Sequence, residues 1–327
     1  MIPTKGKIMK RVVTASILAT MAATCLFAYD QAVEKQKLDE GHPKTTVKWA
    51  VPDESKLPNN EYGNLVRYGK KLLTETYNII GPNVKDEKMR YAGNNYSCSS
   101  CHAEGGTVKY QAGFVGIHAR FPQYQARADG IATIQNRING CMLRSMNGKA
   151  LPDNSKEMKA IATYMKWLSS GVPVGANVEG QGLVKIGLLD RAADPKKGEK
   201  IYAEKCAMCH GANGEGMKND PTAGGYMFPS LWGDDSYNTG AGMYRLIKAA
   251  QYIKGNMPKG NATLTDAEAF DVAAFMNQPS HKRPVFKNRE ADFPDRRVKP
   301  VDMDVAPYDD SFTVEEHRYG PYKKMYK

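Results

Sequence analysis

Cys98-Ser99-Ser100-Cys101-His102 places two thiols three positions apart, with an imidazole directly after the second. The pattern returns as Cys206-Ala207-Met208-Cys209-His210. This is the spacing of c-type haem attachment: Cys98 and Cys101, and again Cys206 and Cys209, add to the two vinyl groups, and His102 or His210 ligates the iron from one side. One tight turn sets both sulfurs along one porphyrin edge and swings the imidazole beneath the metal. A four-thiolate zinc site, or a pair of redox disulfides, would leave both histidines idle. The motifs therefore predict two covalently bound haem c groups. Of the six cysteines, Cys141 remains without a cysteine partner once the motifs and Cys25 are set aside.

The other iron faces need ligands. For the second haem, Met257 stands 47 residues after His210 and precedes Pro258. A thioether there raises the haem potential. Met217, Met227 and Met243 compete with it. For the first haem two residues are in reach. Cys141 lies 39 residues past His102, and an offset of 111 between the two halves maps Met257 onto Met146. Thiolate ligation lowers the potential and thioether ligation raises it; spacing alone leaves both open.

Helices must carry these groups. Leu65, Tyr68, Leu72 and Leu73 recur at helical spacing from Tyr62, ahead of the first motif. Residues 107–124 are loop-like. The recurrence of Ile131, Ile134 and Ile138 predicts a helix from about Ala126. If it continues past Gly140, Arg137, Cys141 and Ser145 share one face at i, i+4 and i+8. Pro152 to Ser155 starts a further amphipathic helix through Met158, Ile161, Ala162, Met165 and Leu168. Glycine-rich residues 171–194 read as a linker. In the second half Gly198 to Tyr202 opens a helix running into Cys206, residues 211–241 are loops, and Met243 to Ile253 is helical. Asn256-Met257-Pro258 interrupts it, and the Thr265/Glu268 capping box opens a last helix. The halves repeat: Gly69-Lys70-Lys71-Leu72 resembles Gly198-Glu199-Lys200-Ile201, and Ala162-Thr163-Tyr164-Met165 matches Ala273-Ala274-Phe275-Met276. The expected units are 61–170 and 195–279. Residues 280–327 match neither and read as an extended tail draped over the body or partly disordered.

Lys5, Lys7, Lys10 and Arg11 precede an apolar stretch, Val12 to Phe27, that ends in Leu26-Phe27-Ala28. Residues 1–28 thus read as a secretory signal peptide, with a polar lead-in over 29–60 and no membrane span after cleavage. The expected location is the periplasm. The formal charge of +11 falls by the four basic residues of the signal, and haem propionates lower it further. A mildly basic protein of this kind suits an anionic small substrate or an acidic partner, and not nucleic acid.

The order of helix, haem motif, ligand loop and final helix, given twice, resembles two tandem class I cytochrome c domains, an all-α fold with haem in each core and here a C-terminal tail. Arg137-Ile138-Asn139-Gly140-Cys141, followed by Arg144-Ser145-Met146-Asn147-Gly148, further resembles the dihaem thiosulfate dehydrogenases, which also reduce tetrathionate. That resemblance covers roughly residues 60 to 280. It implies His102 and Cys141 on the first, catalytic iron. It implies His210 and Met257 on the second, since Asn256 stands where some members carry lysine. Arg127, Arg137 and Ser145 would hold substrate. Two thiosulfates would join to tetrathionate through a thiosulfonate on Cys141, the two electrons leaving to a small external cytochrome c. Two other readings compete. A non-catalytic dihaem carrier needs only Met146 and Met257 as distal ligands. A dihaem peroxidase would need an open iron face and an acid/base group, for which His118 is the one offer.

Overall fold

Asn60 accepts a hydrogen bond from the Gly63 N–H (3.0 Å) and starts helix α1, Glu61–Thr74, which buries Val66, Gly69, Leu72 and Leu73. The structure is a computed structural model that describes residues 45–220 and 224–326. The expected signal peptide, with Cys25, and the first part of the expected lead-in lie outside the described residues. Among the described residues no helix is long and apolar enough to cross a membrane.

After the first haem motif, Thr133 caps α2, Ile134–Arg144, through a capping box closed by Asn136. Ser155 caps α3, Lys156–Trp167. The second half repeats the plan with α4, Pro195–Lys205, α5, Leu246–Asn256, and α6, Asp266–Met276, the last capped by Thr265 and Glu268. A short further helix, α7, Val314–Tyr319, lies in the tail. The fold is mostly helical, as expected. It adds three small two-stranded sheets: a parallel pair of Thr46–Val47 with Asn177–Val178, and hairpins of Gln123–Gln125 with Gly130–Ala132 and Met217–Asp220 with Gly224–Phe228.

The first hairpin corrects the helix expected from Ala126. Ile131 sits on a strand and is 64% exposed; only Ile134 and Ile138 belong to the helix, and both are buried. In the second half the helix begins at Leu246, because Gly242–Tyr244 is a 3-10 turn. Gly140 does not break α2.

Each half is closed by its first and last helices crossing at a glycine. A Cβ on Gly69 would stand 2.2 Å from the Ala160 carbonyl oxygen, and one on Gly198 would stand 1.9 Å from that of Asp271. Tyr164 and Phe275, equivalent in the repeat, also pack against these two glycines. Each crossing bounds its own core, one around Leu72, Met142 and Tyr164, the other around Tyr202, Phe270 and Phe275.

Buried polar side chains join the halves. Asn94 donates to the carbonyls of Ser145 (2.9 Å) and Ser236 (3.2 Å), the Asn95 N–H donates to Asp235 (2.8 Å), and Asn238 donates to Leu143 O (2.8 Å). The tail is tied down by buried acids. Asp302 accepts from Arg245 (2.9 Å) and the Ile247 N–H (3.0 Å), while Asp304 pairs with Arg289 and Arg318.

The two glycines yield a stability prediction. Alanine gains about 1 kcal/mol of helix propensity over glycine, but a Cβ driven into a backbone carbonyl cannot be relieved by rotamer change. Gly69→Ala and Gly198→Ala are each expected to destabilise by about 1–3 kcal/mol, seen as a lower thermal midpoint. Gly130→Ala, whose nearest neighbour is 3.8 Å away, should stay near wild type.

Candidate functional site

The first haem motif opens onto a cavity of about 1020 Å³. Cys98, Cys101 and His102 line it from one side, and Arg137, Cys141 and Ser145 from α2 line it from another, with Met146 beside them. The i, i+4, i+8 face expected of α2 is therefore present and turned inward. Asn139 fastens the helix to the following loop with two bonds to the Leu151 backbone (2.8 and 3.0 Å).

His102 Nδ1 lies 2.6 Å from the Ala112 carbonyl oxygen. That contact makes Nδ1 the N–H and leaves Nε2 for a metal. His210 is held the same way, its Nδ1 2.8 Å from Pro229 O. None of Cys98, Cys101, Cys206 and Cys209 is taken up in a disulfide. Burial pushes Cys98 up to about 11 and Cys101 up to about 12.

Cys141 behaves oppositely. Burial pushes its thiol up, but the Arg137 guanidinium and the nearby His102 outweigh that and bring it down to about 6. Arg137 Nη1 donates to the sulfur at 2.9 Å, the bond a helix allows between residues four apart. A buried, ionised thiolate is a strong ligand and nucleophile. Met146 also touches the cavity but belongs to the apolar core at 3% exposure.

These residues fit a covalently bound tetrapyrrole. Two neutral thiols and a free imidazole nitrogen share one side of a cavity roomy enough for it. Basic groups for its propionates are at hand: the buried Arg144 Nε has no acceptor, and Lys248 lines the same cavity. In the second half Cys206 and Met257 both pack on the edge of the second core. Met217 and Met227 are exposed on their hairpin (44% and 58%), and Met243 lines the first cavity instead. His118 is not among the residues lining the cavity, so the peroxidase reading loses its acid/base group.

Arg127 stands on the cavity wall with an acid already beside it. It lines the cavity, but its Nη1 is 2.5 Å from an Asp292 oxygen and 3.1 Å from Gly240 O, and its guanidinium stacks 5.2 Å from the Phe293 ring. Arg144 takes the other Asp292 oxygen at 2.6 Å. Sequence reasoning missed Asp292, since nothing near residue 127 announces a partner 165 positions away.

Comparisons with known proteins bear on the family and the two domains. A family model described as the SoxA/TsdA cytochrome c domain matches residues 88–174. A second, described as subunit III of cbb3-type cytochrome c oxidase, matches residues 193–276. The chain is 42% identical over 270 residues to a thiosulfate dehydrogenase of Psychrobacter arcticus, covering 82% of this chain and 77% of the relative. It is 40% identical over 252 residues to the thiosulfate dehydrogenase of Allochromatium vinosum, covering 76% and 88%. Among solved structures it resembles the thiosulfate dehydrogenase TsdBA from Marichromatium purpuratum in its as-isolated form, with TM-score 0.67 and 33% identity over 74% of this chain. It spans about half (51%) of that longer chain.

Asp292→Asn is expected to leave Arg127 and Arg144 partly buried without a counter-charge. Breaking such a pair from one side costs about 3–5 kcal/mol, a marked fall in the thermal midpoint. Glu87→Gln, which removes an exposed partner of Arg90, should leave the midpoint near wild type.

Proposed function

The chain belongs to the thiosulfate dehydrogenase family, and we propose that it interconverts thiosulfate and tetrathionate at Cys141 as a dihaem cytochrome c enzyme. The observation that carries the site assignment is the partly buried Cys141 sulfur on the cavity wall, bonded by Arg137 and facing His102. His102 and Cys141 would hold the first iron, and His210 and Met257 the second. When bound, the two haems supply one-electron acceptance at each iron, the thioether-ligated one at the higher potential.

The protein's own groups account for the rest. Cys141 would help hold the first iron, and its thiolate acts as the nucleophile. Its thiolate sulfur bonds to the outer sulfur of one thiosulfate, giving Cys–S–S–SO3− and releasing two electrons. A second thiosulfate attacks that outer sulfur, the bond to Cys141 breaks, tetrathionate leaves, and the thiolate is restored. Charge balances in both steps. Arg137 offsets the repulsion as two dianions approach, and its planar fork suits sulfonate oxygens. Ser145, one turn beyond Cys141, offers a hydroxyl to the same group. Arg127 holds the cavity wall to the tail through Asp292. The electrons pass to an external cytochrome c, and the signal-like N-terminus supports a periplasmic location.

The competing reading, a non-catalytic carrier with Met146 as ligand, is separated by one substitution. Cys141→Ser is expected to lower thiosulfate-dependent ferricyanide reduction about 10³-fold or more, to abolish tetrathionate reduction, and to remove the low-spin thiolate signature from the EPR spectrum. Turnover at the wild-type rate in that variant would overturn the mechanism. Met257→Ala should keep both haems attached and lower the higher of the two midpoint potentials.

A further inference from the structure

Five arginines and a lysine line the first cavity among the described residues: Arg120, Arg127, Arg137, Arg144, Arg245 and Lys248, of which Arg245 pairs with Asp302 of the tail. Their carboxylate partners are unevenly shared. Arg127 and Arg144 divide Asp292 between them. Arg120 and Arg137 have no carboxylate partner among the described residues. Arg137 spends one N–H on the Cys141 sulfur. Arg120 donates only to the neutral Gln181 Oε1, at 3.2 Å.

Arg120 is also held firmly in place. It ends the 3-10 turn His118–Arg120, whose first N–H donates to Ser169 Oγ (3.0 Å) at the end of α3, and whose Ala119 carbonyl accepts from Gly175 N (2.8 Å). Gln181 is 8% exposed and is aimed by a second bond, from its Nε2 to the carbonyl of the fully buried Val115 (2.7 Å). Its amide oxygen is thereby committed to Arg120. The segment 171–194, which reads in the sequence as a mere linker, thus contributes a fixed acceptor to the cavity. Arg120 and Arg137 also feel each other: burial, and then the Arg137 charge, lower the Arg120 guanidinium from its usual value. Two half-buried guanidiniums facing one cavity without an acid are costly unless an anion joins them.

We infer that Arg120, oriented by Gln181, is a further substrate arginine of this site and forms with Arg137 a cradle for the sulfonate of thiosulfate or tetrathionate. The inference rests on the proposed thiosulfate chemistry at Cys141, and it adds Arg120 to the arginines expected from the sequence. A neutral amide is the suitable partner for that task. It orients the guanidinium without neutralising it, and leaves the outward N–H groups for sulfonate oxygens.

The test uses the holoprotein. Arg120→Gln is expected to raise the thiosulfate KM about 10- to 100-fold, the worth of a charged hydrogen bond, with two haems attached, an unchanged first-haem potential and kcat at saturation within a few-fold of wild type. Arg120→Lys should recover part of the KM. Gln181→Glu, which keeps the shape but supplies a neutralising carboxylate, should raise KM as well. Binding is read apart from turnover by titrating tetrathionate calorimetrically into Cys141→Ser and into Cys141→Ser/Arg120→Gln; the second should bind at least tenfold more weakly. Equal tetrathionate affinity in the two proteins would overturn the inference. So would a wild-type KM in Arg120→Gln together with a shifted first-haem potential, which would make Arg120 a propionate partner. Full turnover in Cys141→Ser would instead overturn the underlying reaction at Cys141, so the two failures are distinguishable.

Discussion

A bare thiolate inside a protein is tolerable only if a cation is locked beside it, and here the lock is the 2.9 Å contact from Arg137 to Cys141. Much of the first half can be read as support for that contact. The i→i+4 geometry requires unbroken helix, so α2 must run through Gly140. Its start must not drift, so Thr133 and Asn136 cap it reciprocally. Its end must not fray, so Asn139 grips Leu151 and Asn238 reaches across from the second half to Leu143 O. The imidazole that faces the same sulfur is pinned by the Ala112 carbonyl.

The same low dielectric makes every other buried charge in the cavity wall expensive, and the tail supplies the compensation. Asp292, Asp302 and Asp304 all come from the segment after residue 280, and all three are at most 7% exposed in their side chains. Asp292 serves Arg127 and Arg144 of the first half, while Asp302 serves Arg245 of the second. A segment outside both repeats thereby fixes which cations remain uncompensated. Among the described residues, Arg120 and Arg137 are arginines of the cavity wall left without an acid, and Arg137 is the one bonded to the sulfur.

Local signals explain what the sequence made legible. The haem motifs, the Asn60, Thr133, Ser155 and Thr265 caps and the repeated glycines are each written within a few residues, and the helices of both halves follow from them. The hairpin at Gln123–Ala132 was illegible because Ile131, Ile134 and Ile138 satisfy a helical spacing by coincidence across a strand, a cap and a helix. The acid that pairs with Arg127 was illegible because it lies 165 residues downstream, and Arg144 likewise pairs across 148. Arg120 had no signal at all: a single arginine in a loop becomes notable only when the acids around it are counted. The repeated Gly69 and Gly198 were visible as a pattern, yet their reason, a carbonyl within about 2 Å of a would-be Cβ, is a tertiary fact.

The repeat itself shows how one half differs from the other. Adding the offset of 111 to α2 gives residues 245–255, displaced by one residue from α5. On that register Arg137 corresponds to Lys248, Cys141 to Tyr252 and Met146 to Met257. Both helices present this face to the first cavity, since Lys248 and Tyr252 line it together with Arg137 and Cys141. The second helix carries a phenol that burial keeps neutral, pushed well above its usual range, at the position where the first carries an ionised sulfur. Its cation is a compact ammonium where the first has a planar fork. The helix scaffold is conserved between the halves down to its glycine crossing, so the chemical difference rests on what this single face displays. A thiolate paired with a guanidinium can exchange a bond with substrate sulfur; a neutral phenol beside a lysine can only wall the cavity. The reactive character of the first half is therefore a matter of side chains on an unchanged frame, set by the charge each frame position can hold in the dark of the core.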